Sequence, residues 1–476
     1  MKRIGLYILS ISLLLSGCDS FLDQSPKHQL TIDNAVSDYS SALNIVNGMY
    51  SRIQGGNLGG YISLPLAAQA GIYKGYDDFY NMNYHQGKND NNEIWKQYYS
   101  CVNAANAAII AISALDVSKL PSPEEKNRLI AEARCFRAFV NTHLFWLWGH
   151  WWADDSDKYG LLYRDQVSNL ANLQVARLNV GESYTKIFED IDYAIQNLND
   201  YKSSYYVSRQ LAQALKAKIL LYRGRQGDYA EALNIVEDIL STAPATFRME
   251  PDMKKLYEDA WDSPEVLWTR YLEERGGYDS RAWNEYPYSV DISYNTAEFR
   301  EVVNDWIIND PRYIVNSDSV RSPETWDTSK RKCLVKLYHR GRNDGPNDKY
   351  ATYHFRYAEL YLMKAELKAR LNPNDIQGAL APLNEMRAKR TNPVLPALSA
   401  ANQDELMEVI FREIVNELLL ENGSEYFASL RFIKDGKPMI YALKPDVNVS
   451  ENKYCWPIPS DEMRNNLIMI QNPDLD

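Results

Sequence analysis

The sequence predicts a mainly α protein, a scaffold of helix pairs carrying long irregular loops. Three observations predict it. Apolar residues recur at helical spacing through most of the chain. Alanines and glycines punctuate two of these stretches where paired helices must approach and turn. Two Tyr-rich segments without any period interrupt the pattern. At 476 residues the chain exceeds one ordinary globular domain, so two or three domains or one extended repeat array is expected.

The first element is a leader. Lys2 and Arg3 precede the apolar stretch Ile4 to Leu15, which suits a signal segment, whereas a membrane-spanning helix needs about 20 residues. The stretch ends in Leu15-Ser16-Gly17-Cys18, a pattern that looks like a bacterial lipobox. Residues 1–17 are then removed and Cys18 is acylated. At about 0.8 kcal/mol per buried CH₂, several acyl chains hold firmly where one is marginal. The mature chain is expected to be anchored, not spanning.

Helices follow. Residues 91–115 and 121–149 read as two long ones; Ser122 with Glu125 makes a capping box for the second and Gly149 ends it. Residues 181–200 are a third. Residues 211–240 read as helix, turn, helix, where Gly227-Asp228-Tyr229 followed by Ala230 and Ala232 resembles a tetratricopeptide repeat. Residues 353–390 repeat the theme, with Ala358, Ala365 and Ala369 before an Asn-Pro-Asn turn and Ala379 after it.

Between and around these pairs lie the irregular parts: about 242–350, rich in Pro, Gly, Asn, Asp and aromatics; 55–92, rich in Gly and Tyr; and the loop-like end, 435–476. Binding residues concentrate on loops held by a rigid frame. The chain has 34 Tyr against 12 Phe. Tyr joins an apolar face to a polar tip, so the excess suggests half-wet aromatic positions. Tyr73, Tyr76, Tyr80 and Tyr84 would line one helical face, packing on the scaffold or facing a ligand. Trp95 with Tyr99, and Phe145, Trp146 and Trp148, read as core.

The remaining signals exclude more than they assign. A net charge of −11 argues against nucleic acid. Of the four cysteines beyond Cys18, none forms CxxC; Cys101 and Cys135 suit buried free thiols, with a Cys101–Cys135 disulfide as the other reading. The six His include no HExxH or HxxEH, and there is no GxSxG, Walker loop or GxGxxG. Asp77-Asp78 and Asp154-Asp155 could serve a glycosidase, but adjacent acids usually are solvated loop chemistry. The oxygen-rich loop at 341–353 lacks EF-hand spacing and reads as a turn. No cofactor or metal is expected.

The marker segments together resemble one family. The lipobox with "CDSFLDQSPKHQLT" (18–31), "AEARCFRAFVNTHLFWLWG" (131–149), "FRYAELYLMKAEL" (355–367), "ENGSEYFASLR" (421–431) and "WPIPSDEMRNNLIMIQNPDL" (456–475) are similar, in order, to segments of the SusD/RagB nutrient-uptake lipoproteins. The chain departs from that pattern at Glu425, where Arg is usual, and at Ala428-Ser429, where Asp is usual, which puts a local ion pair in doubt. The resemblance implies a single SusD-like domain over 18–476, with a tetratricopeptide-like scaffold at about 35–240 and 350–435. Long irregular loops, chiefly the insertion at about 242–350, would form the ligand face.

The resemblance further implies a non-enzymatic lipoprotein on the outer face of the outer membrane, with Asp19 and Asp23 as acidic export signals. It would capture an oligosaccharide, or a peptide as RagB-like proteins do, for a SusC-like TonB-dependent transporter; a glycoside hydrolase is the remaining alternative. In "RGGYDSRAWNEYPYSVDISY" (275–294), Trp283, Tyr286 and Tyr288 are the candidate stacking rings, with Asn284, Asp279 and Arg281 as polar partners. Tyr76 and Tyr80 join them. A sugar ring has a CH-rich face that stacks on Trp or Tyr, while its hydroxyls need amide, carboxylate or guanidinium partners.

Overall fold

The computed structural model describes residues 36–53, 61–72, 77–87, 89–269, 305–312, 317–319, 332–334 and 352–475. Its helices run α1 (Tyr39–Tyr50), α2 (Tyr61–Ala70), α3 (Asp77–Tyr80), α4 (Asn89–Ala114), α5 (Pro123–Trp148), α6 (Val180–Asn197), α7 (Arg209–Arg223), α8 (Asp228–Thr242) and α9 (Met253–Asp259). Strand β1 (Val266–Thr269) and the short α10 (Asp305–Ile308), β2 (Ser317–Ser319) and β3 (Lys332–Leu334) come next. Then follow β4 (Tyr353–Arg356), α11 (Tyr357–Leu371), α12 (Ile376–Lys389), α13 (Gln403–Leu418) and α14 (Ser424–Arg431). The hairpin β5 (Ile433–Lys434) and β6 (Lys437–Pro438), α15 (Met439–Leu443) and α16 (Ser460–Asn465) close the chain.

Consecutive helices pack side by side: α4 on α5, α5 on α6, α7 on α8, α11 on α12. Antiparallel pairing of α4 and α5 sets Trp95 against Trp148 (ring centroids 5.1 Å) at one end and Asn106 against Arg137 (2.7 Å) further along. Ala358, Ala365, Ala369 and Ala379 are fully buried, as close helix approach requires. Gly224 ends α7 at φ +60°, a left-handed position where a Cβ would also press on the Tyr229 hydroxyl. A large hydrophobic core runs through the helices and contains Trp95, Phe145, Trp146 and Trp148, with a smaller cluster around Met253, Leu256 and Trp261 at α9. Cys101, Cys135 and Cys455 lie buried as free thiols.

Four expectations need correction. The Ser122 hydroxyl does accept from the Glu125 N–H (3.2 Å), but Glu125 does not complete the capping box. Its carboxylate takes Arg128 and the Tyr39 hydroxyl, each at 2.7 Å, charge-assisted partners that outcompete a backbone N–H. The segment 353–356 begins not as helix but as β4, because its four residues are all buried in antiparallel pairing with β1. The segment 55–92 contains a helix, α2, despite Pro65; near the first turn a proline removes only one helical bond, and Leu66 to Ala70 are fully buried. Tyr80 and Tyr84 do not share one helix: α3 stops at Tyr80, and Met82 takes φ +53° before Tyr84; Tyr73 and Tyr76 lie outside the described residues.

Candidate ligand-binding site

Strands β1 and β4 define where the long insertion joins the frame. Thr269 faces Tyr353 in the register, and the Thr269 hydroxyl donates to the Thr352 carbonyl at 2.7 Å. Thr269 and Thr352, the residues flanking the insertion, therefore lie side by side. Trp268, 2% exposed, sits beneath this point against Phe139 (4.8 Å, 89°) and His354 (4.7 Å).

A buried ionic network stiffens the same base. Arg356 reaches Glu265 (2.6 Å), Glu417 (3.2 Å) and Glu421 (2.7 Å), while Arg390 reaches Glu265 (2.7 Å) and Glu417 (2.6 Å). Within the insertion, Arg312 binds Asp310 (2.8 Å), Glu413 (2.9 Å) and Glu417 (3.0 Å), and Arg387 adds a bond to Glu413 (2.7 Å). Burial works against the charge of Arg356, but Glu421, Glu265 and Glu417 outweigh it and hold its pKa well above the usual value. Burying ions costs several kcal/mol each unless geometry and hydrogen bonds compensate. Here each guanidinium meets carboxylates from elements far apart in sequence, so the insertion is fixed to the scaffold at Arg312 as well as at Thr269.

The second candidate region is the junction of α2 and α3 with the C-terminal segment. Gln69, fully buried, donates to the hydroxyls of Tyr84 (2.8 Å) and Tyr426 (2.7 Å) and accepts from the Trp456 indole (2.9 Å). The Tyr84 hydroxyl donates to the Lys453 carbonyl. Lys444, 1% exposed, donates to the Gln69 carbonyl (3.1 Å) and lies 5.4 Å from the Tyr80 ring. Burial pushes its pKa down to about 7, with Asp446 acting in opposition. Gly71 takes φ +81°, and a Cβ there would lie 2.5 Å from the Lys444 Cγ.

Of the predicted residues, Tyr80 alone is described. It is 8% exposed, and its hydroxyl donates to Asp446 (3.1 Å), so the structure places it in the wall of this junction. Trp283, Tyr286, Tyr288, Asn284, Asp279, Arg281, Tyr76 and the predicted anchor Cys18 lie outside the described residues. Sequence reasoning missed Gln69, Lys444 and Trp456, whose significance depends on contacts across hundreds of positions. It also missed Trp152, a half-buried ring beside this junction. Trp152 stacks on His150 (5.0 Å, 29°), meets Tyr454 (5.4 Å) and donates to Glu451 (2.8 Å).

Asp155 of the acid pair bonds Arg225 (3.1 Å). His143 is held neutral, its pKa pushed down to about 4 by burial. Among the described residues, no group of three His, Cys, Asp or Glu could hold a metal ion, and no helix is long and apolar enough to cross a membrane. The described geometry is a stiff frame in which the rings of Tyr80, Tyr84, Trp268 and Trp456 are buried and the polar groups of Gln69 and Lys444 are bonded within the junction.

Comparison with known proteins adds the family. Residues 302–474 match the SusD family model, and residues 20–221 match a model described as starch-binding and associating with the outer membrane. The chain is 22% identical over 435 residues to a SusD-like protein P38 of Formosa agariphila, covering 79% of this chain and 78% of that one. A SusD superfamily structure from Bacteroides thetaiotaomicron superposes with TM-score 0.71 at 19% identity, covering 92% of this chain and all of the other. A laminarin-binding SusD-like protein superposes with TM-score 0.68 at 19% identity, covering 92% of this chain and all of the other.

Proposed function

We propose that this chain, which belongs to the SusD family, is a cell-surface glycan-binding lipoprotein that captures an oligosaccharide and passes it to a SusC-like TonB-dependent transporter. It binds and does not cleave. The observation that carries this reading is the base of the insertion. The flanks of the insertion, Thr269 and Thr352, are bonded to each other, and Arg312 ties it again to Glu413 of the scaffold; rings carried on a segment ordered before binding lose little entropy when they stack on a ligand. Trp283, Tyr286 and Tyr288 supply the stacking faces in this reading, with Asp279, Arg281 and Asn284 at the sugar hydroxyls and Tyr76 and Tyr80 at the margin. A laminarin-binding protein of the same fold supports a glycan as the ligand class.

Acylated Cys18 holds the mature chain on the exterior of the outer membrane. Affinity in the micromolar to millimolar range suits the role, because captured ligand must be released to the transporter. Isothermal calorimetry of the mature protein against a broad glycan panel tests the reading; heat from at least one glycan is expected. Silence toward glycans with binding of a peptide mixture would replace the sugar with a peptide. Reducing ends released during hours of incubation with polysaccharide would make it a hydrolase.

A further inference from the structure

Two segments without a single charged residue lie side by side on the surface. Residues 166–176 and 465–473 contain no Asp, Glu, Lys or Arg, in a chain that is 24% charged with a net charge of −11. Hydrogen bonds stitch the two together. Gln174 donates to the Asn465 carbonyl (2.8 Å) and accepts from the Leu467 N–H (2.7 Å), and Asn466 donates to the Val175 carbonyl (2.8 Å). Asn472 holds the frame from below, donating to the carbonyls of Trp148 (3.0 Å) and Trp456 (2.8 Å). With Asn466, Met469 and Asn472 buried, the side chains between them are held outward. Leu467 is 81% exposed, Ile468 51% and Ile470 37%, and Leu170 on the other segment is 93% exposed.

Single apolar residues scattered over a surface are ordinary, and Val394 and Tyr206 are exposed on other loops in that way. Aliphatic side chains grouped on one uncharged, cross-bonded frame mark an interaction site. The chemistry narrows the occupant. A sugar needs ring faces to stack on, and neither segment holds an aromatic residue. Sites that lie on a bilayer combine an apolar face with Trp, Tyr, Lys or Arg, which are equally absent. That leaves a protein surface.

A basic partner would be recognised through this chain's acidic side chains, and the patch offers none. A second copy sets different demands. A two-fold contact lays the patch against itself, so any net charge on it would repel its own image. On an acidic chain, an uncharged patch permits that contact without setting like charges together. The flanking residues carry both signs: Arg464, 70% exposed, beside Asp461, with Asp165 and Asp474 exposed as well. Rims running in opposite directions can therefore bring unlike charges within reach.

We propose that this patch is the contact through which two copies of the chain form a weak two-fold dimer. The role is separate from ligand capture and rests only on the geometry and charge of this surface.

Sedimentation velocity from about 1 μM to about 0.2 mM tests it, using the mature chain with Cys18→Ser so that no acyl group is present. The sedimentation coefficient should rise with concentration toward that of a dimer. Leu467→Glu places two carboxylates face to face and should weaken self-association at least tenfold. Leu170→Glu, on the other segment, should act in the same direction, and Val394→Glu, on a separate loop, should leave the dimer unchanged. A chain that stays monomeric at every concentration overturns the proposal and leaves the patch to a different protein. A dimer that both Leu467→Glu and Leu170→Glu leave intact overturns it too, since the contact then lies elsewhere.

Discussion

Arg356 and Glu417 meet in the complete absence of solvent. Arg356 donates twice, through Nη1 to the Glu417 carboxylate (3.2 Å) and through Nη2 to its backbone carbonyl (2.7 Å), and both side chains are 0% exposed. The pair joins the start of α11 to the end of α13; Glu265, in the turn before β1, bonds Arg356 directly and is linked to Glu417 through Arg390. The base of the proposed ligand face thus rests on charges that have no alternative partner in water.

Removing one member of such a network should be severe. Arg356→Met removes one guanidinium from a buried cluster of three carboxylates, Glu265, Glu417 and Glu421, leaving Arg390 on Glu265 and Glu417, and a loss of about 3–5 kcal/mol is expected. Urea unfolding of the variant beside the parent measures it. A loss below about 1 kcal/mol would show that the network carries little of the fold's stability.

Lys444 gives a pH signature with a definite sign. Its pKa in the fold is about 7, against about 10.4 for an unfolded lysine. Between those values the unfolded chain holds a proton that the folded chain lacks, so stability contributed by this site rises with pH; below pH 7 both states are protonated and the effect is flat. Lys444→Met should remove that rise. Unfolding midpoints of parent and variant between pH 6 and 8.5 should diverge above pH 7, with the parent gaining relative to the variant; parallel curves would contradict the buried-amine reading.

The three buried thiols should be inert in the native protein. Burial pushes Cys101 and Cys455 up to about 12, and Cys135 upward as well, and the thiolate is the reactive form. Alkylation at pH 8 followed by peptide mapping should label Cys101, Cys135 and Cys455 only after denaturant is added. A mapped Cys101–Cys135 disulfide, or labelling of either without denaturant, would contradict this packing.

The helices were legible where the cause is local. Ser122 and Gly149 bracket α5, and the alanines of α11 mark a close approach, because caps and small residues act within a turn or two. Strands β1 and β4 were not legible: Trp268 and Phe355 pair across the whole insertion, and "YHFR" continues into a helix without a break in periodicity. The ionic network was hidden for the same reason, since Arg312 and Glu413 look like ordinary surface charges until the fold brings them to 2.9 Å. Tyr80 followed helical spacing with Tyr84, yet α3 ends at Tyr80 itself, and Tyr80 is held by Asp446 and lies beside Lys444. The candidate rings of 275–294 were legible only as composition and family resemblance, because stacking faces carry no periodic signal.

The central claim is tested most directly by calorimetric titration of the mature protein and its Trp283→Ala variant with a glycan that the parent binds. The account predicts at least a tenfold loss of affinity in the variant, about 1.4 kcal/mol or more, with an unchanged thermal unfolding midpoint. Undiminished binding would remove Trp283 from the site, and a large fall in the midpoint would return the ring to the core.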